Sequence, residues 1–204
     1  MAHVIQGGWA AAQGALLAQM YQERKRVFID LLRWDLPALD GRYEIDQFDT
    51  RSTIYLIIAG TDGQHLGSLR LLPTIQPHVL GDVFPGLCDR GSPSAPDVWE
   101  ISRLCLSRSI RAAERRHVRD KLATALTLFA RDNGIRAYCC VADMPWYTQI
   151  LSFGWRCEPL GLPQDLPCGT LAALMIHIDD GTPRMLDEAG IWSDTLAPLV
   201  PLGQ

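Results

Sequence analysis

Between Arg24 and Arg103, arginines and carboxylates interrupt segments that otherwise carry core residues. The stretch holds Arg24, Phe28 and Trp34, then Glu44, Asp46 and Asp49 in Glu-Ile-Asp-Gln-Phe-Asp. Arg70 follows within Gly-Ser-Leu-Arg-Leu-Leu-Pro-Thr, Phe84 stands before a proline, and Glu100, Ser102 and Arg103 close it in Trp-Glu-Ile-Ser-Arg. Charge inside an apolar run is costly unless it is paired, so a polar site built within a core is expected. Carboxylates can serve as a base or hold a cation. Arginines can grip a carboxylate at two points, and aromatic faces suit planar or cationic ligands.

Other chemistries lack their residues. The histidines (His3, His65, His78, His117 and His177) show no metal-ligand spacing, and neither a Gly-x-Ser-x-Gly elbow nor a phosphate-binding Gly-x4-Gly-Lys-Ser/Thr loop occurs. Six cysteines without Cys-x2-Cys spacing read as reduced core thiols, so no metal is expected. A net charge of -4 gives no global attraction to nucleic acid or to an anionic membrane. No apolar run approaches spanning length and no leader pattern opens the chain, so a soluble, cytoplasmic protein is expected. At 204 residues and 48% hydrophobic content, the chain suits one domain with a sizeable core.

The elements that must position these residues follow from periodicity. Ala10 to about Leu32 has helical spacing in one or two pieces, and Pro37 with Asp40-Gly41 ends it. Residues 35–52 then form a loop carrying Glu44, Asp46 and Asp49. Thr53–Ala59 and His65–Pro73 form a strand pair joined at Asp62-Gly63. Residues 77–96 are irregular, with Val83-Phe84 as an apolar anchor. Val98–Ser107 is a strand in which period two puts Glu100 and Arg103 on opposite faces unless a bulge intervenes. Arg111–Asn133 is the long helix, stopped at Asn133-Gly134, and Ile135–Ala142 is a buried strand. Asp143 caps a short helix ending near Gly154, Trp155–Pro159 and Thr170–Ile178 are strands, and Pro183–Ala189 is a short helix. His3-Val4-Ile5 suits a short strand or arm, and the Leu- and Pro-rich end a packed tail. This order predicts an α/β fold, a three-layer α-β-α sandwich with a mixed central sheet.

Taken together and in order, Arg24, Phe28, Trp34, Glu44, Asp46, Asp49, Arg70, Phe84, Glu100, Ser102 and Arg103 resemble the acyl-homoserine-lactone synthases, the autoinducer synthases of bacterial quorum sensing. Arg70–Thr74 and Ser152-Phe153-Gly154-Trp155 look like further signatures, and the resemblance spans roughly residues 10–178. It implies an N-acetyltransferase-like fold. It also implies a reaction in which a thioester acylates the amine of S-adenosylmethionine, and the product closes to a lactone with loss of methylthioadenosine. The donor would be acyl-acyl-carrier protein or acyl-coenzyme A, with no cofactor, because S-adenosylmethionine is a substrate. One domain over 1–204 is implied, with an arm and loop over about 1–52 closing the S-adenosylmethionine site and a tail over about 180–204.

In that reaction Glu100 or Glu44 would be the base, with Glu100 preferred because a strand holds it. Arg24 or Arg103 would grip the substrate carboxylate, Asp46 would face the sulfonium or ammonium, and Phe28 and Trp34 would offer surface to adenine and sulfonium. Asp49 and Arg70 would brace the loop, with Phe84 and Ser102 also in structural roles. The resemblance places an acyl pocket at Leu104, Cys140, Met144, Trp146 and Leu151. Cys140 stands where some relatives carry a threonine favouring 3-oxo chains, and Leu104 where a phenylalanine is common. Arg111, Arg115, Arg116 and Arg119 at the start of the long helix form a patch for an acidic carrier protein or for phosphates. Two rival readings are an ordinary acyl-coenzyme A N-acyltransferase and a non-catalytic sensor of S-adenosylmethionine or acyl thioester. The stretch Ser107–Glu114 contains no glycine, unlike the pyrophosphate loop of the first rival.

Overall fold

A computed structural model describes residues 1–7 and 14–194, together with the backbone of 200–201. Within it the chain divides into two compact units, one of residues 1–70, 103–125 and 194–204, the other of 71–102 and 126–193.

In the first unit, β1 (Ala2–Gln6) pairs antiparallel with β4 (Ile54–Ala59) and parallel with β11 (Val200–Pro201). The expected tail thus includes a strand, while its residues 195–199 and 202–204 lie outside the described residues. The helix expected from Ala10 is described from α1 (Ala15–Arg24) onward and continues as a π-helix, Lys25–Leu31. Leu17, Met20 and Tyr21 of α1 pack with Ile5, Tyr55 and Ile57 to form this unit's core. The loop expected over 35–52 contains a small hairpin, β2 (Ala38–Leu39) with β3 (Tyr43–Glu44), so Glu44 sits on a strand.

Strands β5 (His65–Pro73) and β6 (Val98–Leu106) run through both units and bond within each. Ser107 N–H donates to the Leu66 carbonyl in the first, and Thr74 N–H to the Val98 carbonyl in the second. The turn before β5 is the expected one, with Gly63 at φ +78°. The long helix α3 (Ala112–Asp132) ends at Gly134, φ +67°, whose left-handed conformation stops it.

The second unit takes the order β6, β7 (Ala137–Asp143), β10 (Gly169–His177), β8 (Arg156–Pro159), with β9 (Gln164–Leu166) also on β10. β6 and β7 are parallel, as two strands joined by a helical crossover must be, and β10 is antiparallel to β7 and β8. Parallel and antiparallel pairs together make the sheet mixed, and helices flank it. Asp143 caps α4 (Met144–Leu151) by accepting from Trp146 N–H at 2.9 Å. α5 (Thr182–Glu188) follows β10. Two short turns, α2 (Val79–Asp82) and a 3-10 turn at Pro85–Leu87, lie in the segment expected to be irregular. There Phe84 packs on a cluster of Leu80, Leu87, Cys88, Cys139 and Leu171. Val83 is 48% exposed and does not anchor, because the α2 turn rotates it outward. Among the described residues no helix is long and apolar enough to cross a membrane.

Candidate active site

The first unit gathers three arginines and three carboxylates into one buried, charge-balanced cage. Arg24 arrives at the end of α1, Glu44 on β3, Asp46 and Asp49 on the turn after it, Arg70 on β5 and Arg103 on β6. The turn is fixed from within: Asp46 N–H donates to Asp49 Oδ2 and Phe48 N–H to Asp46 Oδ1, each at 2.9 Å. These local bonds aim both carboxylates at the arginines.

Arg24 uses all three guanidinium nitrogens on the cage: Nε on Glu44 Oε2 at 2.5 Å, and Nη1 and Nη2 on the two Asp49 oxygens at 2.9 Å each. Arg70 grips Asp46 in the same two-point manner, at 2.5 and 3.1 Å, and its Nη1 also lies 3.1 Å from Asp49 Oδ1. Arg103 reaches Glu44 Oε1 through Nε (3.2 Å) and Nη2 (3.1 Å), and Asp46 Oδ2 through Nη2 (2.8 Å). Arg24, Glu44, Asp49 and Arg70 side chains are fully buried; Asp46 at 5% and Arg103 at 10% form the rim. Burial alone would raise the Asp49 carboxyl, but Arg24 and Arg70 beside it hold it well below the usual carboxylate range. For Arg103 burial wins over the pull of Glu44, and its guanidinium is lowered.

Arg24 was expected as one of two grips on a substrate carboxylate. With its nitrogens spent on Glu44 and Asp49 and no exposure, it offers a ligand no face. Glu44 is likewise held at both oxygens by Arg24 and Arg103.

Arg103 also breaks the strand. Its backbone is at φ +52°, in the left-handed region a non-glycine residue rarely takes, and the alternation of buried and half-buried residues along β6 fails there. This is the interruption that the period-two reading left open. The Arg103 guanidinium lies 5.4 Å above the Phe28 ring, and Phe28 stacks on Trp34 at 5.1 Å and 24°. Phe28 is therefore buried and Trp34 half-exposed. The π-helix sets both. Leu32 N–H reaches back five residues to Val27, and Trp34 N–H six residues to Phe28.

In the second unit Glu100 is buried on β6 opposite Cys139 of β7, and its Oε2 accepts from Leu80 N–H at 3.0 Å. Its carboxylate joins burial in pushing up the Cys139 thiol. Ser102 is half-buried, and Cys140 is buried opposite Ile101. Of the expected acyl-pocket residues, Leu104 in the first unit and Met144 and Trp146 in the second are half-buried. Leu151 is 46% exposed, because α4 turns it to the surface. Of the expected docking arginines, Arg111 and Arg116 are exposed and Arg115 half-buried. Arg119 is half-buried and pairs with Asp120, at 2.8 and 2.6 Å. All six cysteines are unpaired, four of them buried.

Three contributors escape the sequence reading. Tyr55 donates to Asp49 Oδ1 at 2.7 Å, and its hydroxyl meets that of Tyr21 at 2.7 Å. Glu23, also buried, receives Arg26 and the Arg108 N–H. A tyrosine inside the apolar run Thr53–Ala59 was the available signal, since a buried phenol needs a partner.

Comparison with known proteins agrees with this geometry. An acyl-homoserine-lactone synthase from Ralstonia nicotianae is 34% identical over 184 residues, covering 87% of this chain and 89% of that one. The solved structure of a coenzyme A-dependent acyl-homoserine lactone synthase, BjaI, with S-adenosylmethionine and isopentyl-coenzyme A, superposes with a TM-score of 0.83. It is 30% identical and covers 95% of this chain and 90% of that one. A putative N-acetyltransferase from Lactobacillus plantarum, 16% identical with a TM-score of 0.56 over 87% of this chain and 99% of that one, shares the fold alone. The autoinducer synthase family model matches residues 10–186. On that match and those identities, the chain belongs to the autoinducer synthases, acyltransferases that make acyl-homoserine lactones.

Proposed function

We propose that this chain acylates the amine of S-adenosylmethionine from an acyl thioester and then closes the product to the homoserine lactone, releasing methylthioadenosine. The observation that carries the reading is the cage: four of its six charged side chains are sealed, while Arg103 and Asp46 form a rim beside Phe28 and Trp34. S-adenosylmethionine presents a carboxylate, an ammonium, a sulfonium and an adenine, and the rim has a counterpart for each. Arg103 grips the carboxylate, with Nη1 as the nitrogen outside its bonds to Glu44 and Asp46. Asp46 faces the cationic groups, and Trp34 offers the aromatic face. Arg24, Asp49, Arg70 and Glu44 hold these two in place.

An α-amino group with a pKa of roughly 8 is largely protonated at pH 7 and needs a base before it attacks a thioester. Glu100 takes that role. Glu44 has both oxygens committed to arginines, whereas the Glu100 carboxylate is held on a strand and accepts from the Leu80 N–H. In the second step the substrate's own carboxylate attacks the carbon bearing the sulfonium. The leaving thioether is neutral, so no acid is needed and the protein's contribution is positioning. The reading makes the chain one catalytic domain with no cofactor, working in the cytoplasm where both substrates are made. BjaI, a coenzyme A-dependent synthase, was solved with isopentyl-coenzyme A, and here coenzyme A and acyl-carrier protein are both candidate carriers.

The test is methylthioadenosine release from S-adenosylmethionine with a panel of acyl-coenzyme A and acyl-carrier-protein thioesters, the organic extract read by mass spectrometry. A lactone from one donor establishes the reaction and names the donor. Acyl transfer without methylthioadenosine would overturn the lactonising step.

A further inference from the structure

The cage has a support on its buried side. Tyr21 and Tyr55 are both fully buried, one on α1 and one on β4, with their rings edge to face at 5.8 Å. Their hydroxyls are 2.7 Å apart, and Tyr55 is also 2.7 Å from Asp49 Oδ1. A carboxylate held ionised can only accept, so Tyr55 O–H donates to Asp49 and must accept from Tyr21. The 2.7 Å separation is that of a charge-assisted bond. Burial, and after it the charge of Asp49, raises both phenols above their ordinary range, which keeps them protonated as donors.

Asp49 Oδ1 is where this matters. It receives Tyr55, Arg24 Nη1 and, at 3.1 Å, Arg70 Nη1. The same Arg70 nitrogen lies 2.5 Å from Asp46 Oδ1, so Arg70 is shared between two carboxylates and Tyr55 competes with it for one of them. With Tyr55 in place, Arg70 sits closer to Asp46, whose other oxygen holds Arg103 at 2.8 Å.

Resting on the function proposed above, we infer that Tyr55, oriented by Tyr21, is a positioning residue for the S-adenosylmethionine site. It acts through Asp49 and Arg70 on the pair Asp46 and Arg103. Without the hydroxyl, Asp49 draws Arg70 toward itself, and Asp46 and Arg103 lose their set distance at the rim.

The experiment compares wild type, Tyr55→Phe and Tyr21→Phe in the full chain. It uses calorimetric titration with S-adenosylmethionine and steady-state kinetics with the donor selected by the thioester panel. Tyr55→Phe is expected to weaken S-adenosylmethionine binding roughly tenfold, the scale of one hydrogen bond to a charged group, with donor KM unchanged. Tyr21→Phe should shift the same constant in the same direction by less, and it carries the test if Tyr55→Phe fails to fold. Wild-type affinity in a folded Tyr55→Phe would overturn the positioning role, and so would an equal loss for both substrates. If wild type itself bound no S-adenosylmethionine, the functional reading would fall and this role with it.

Discussion

Arg24 meets Asp49 along the full edge of its guanidinium, two nitrogens on two oxygens at 2.9 Å each, with neither side chain exposed. Such a pair adds less to stability than its appearance suggests, because both charges lose their hydration. Breaking it is another matter. Asp49→Ala would leave Arg24 and Arg70 facing each other without their shared anion, and a loss of about 3–5 kcal/mol is expected. Urea denaturation measures it; a loss under about 1 kcal/mol would mean that water reaches the cage.

Acid should destabilise the protein in two stages. Burial lowers the His65 imidazole to about 4, so between the ordinary value near 6.5 and about 4 the unfolded chain binds a proton that the folded one refuses. Stability therefore falls as pH drops through that window, by on the order of 3 kcal/mol. Asp49, held below the usual range, contributes stability that is present above roughly pH 4 and lost as acid finally protonates it. Thermal melting from about pH 7 down to about pH 2 should show the first stage in full and the onset of the second. His65→Gln should flatten the first and leave the second, and an unchanged first stage would assign it to another group.

Replacing the proposed base separates chemistry from architecture. Glu100→Gln keeps the size and the acceptor for Leu80 N–H while removing the basic oxygen. Turnover should fall at least about a hundredfold, with S-adenosylmethionine affinity retained. Near-normal turnover would move the proton transfer elsewhere.

Arg111 and Arg116 are the most exposed of the four arginines expected to meet an anionic donor, while Arg119 pairs with Asp120. Reversing both to glutamate should raise donor KM several-fold and steepen at low salt, as expected of rim charges. A donor KM equal to wild type would return these residues to the solvated surface.

Much of the architecture can be read from the chain because its signals are local. The strand pair around Asp62-Gly63, the helix stopped at Gly134 and the cap of Asp143 each depend on a few neighbouring residues. The residue types of the site are equally plain, since Arg70 and Glu100 stand out within apolar strands. Pairing is less visible. Which arginine holds which carboxylate depends on where residues 35–52 fold back, and the hairpin there is only two residues on each side. Arg24 consequently reads as a ligand grip and proves to be sealed. The left-handed turn at Arg103 has no marker, since glycine or asparagine would be the usual occupant of such a position. Tyr55 hides for the opposite reason: its phenol reads as one more core residue.

The π-helix at Lys25–Leu31 makes the spacing of residues, as well as their identity, something the chain must preserve. Its wide winding fits more residues into the same rise than an α-helix does. Deleting one residue there would let the segment relax to α-helical coiling with the chain beyond it nearly in register, so the change would fall on the residues of the wide turn itself, Phe28 among them. Phe28 would leave Arg103 or Trp34, although every aromatic and charged side chain survived. Point substitutions leave that dependence untouched; a one-residue deletion exposes it, so insertions and deletions between Arg24 and Trp34 should be far less tolerated than replacements at its exposed positions.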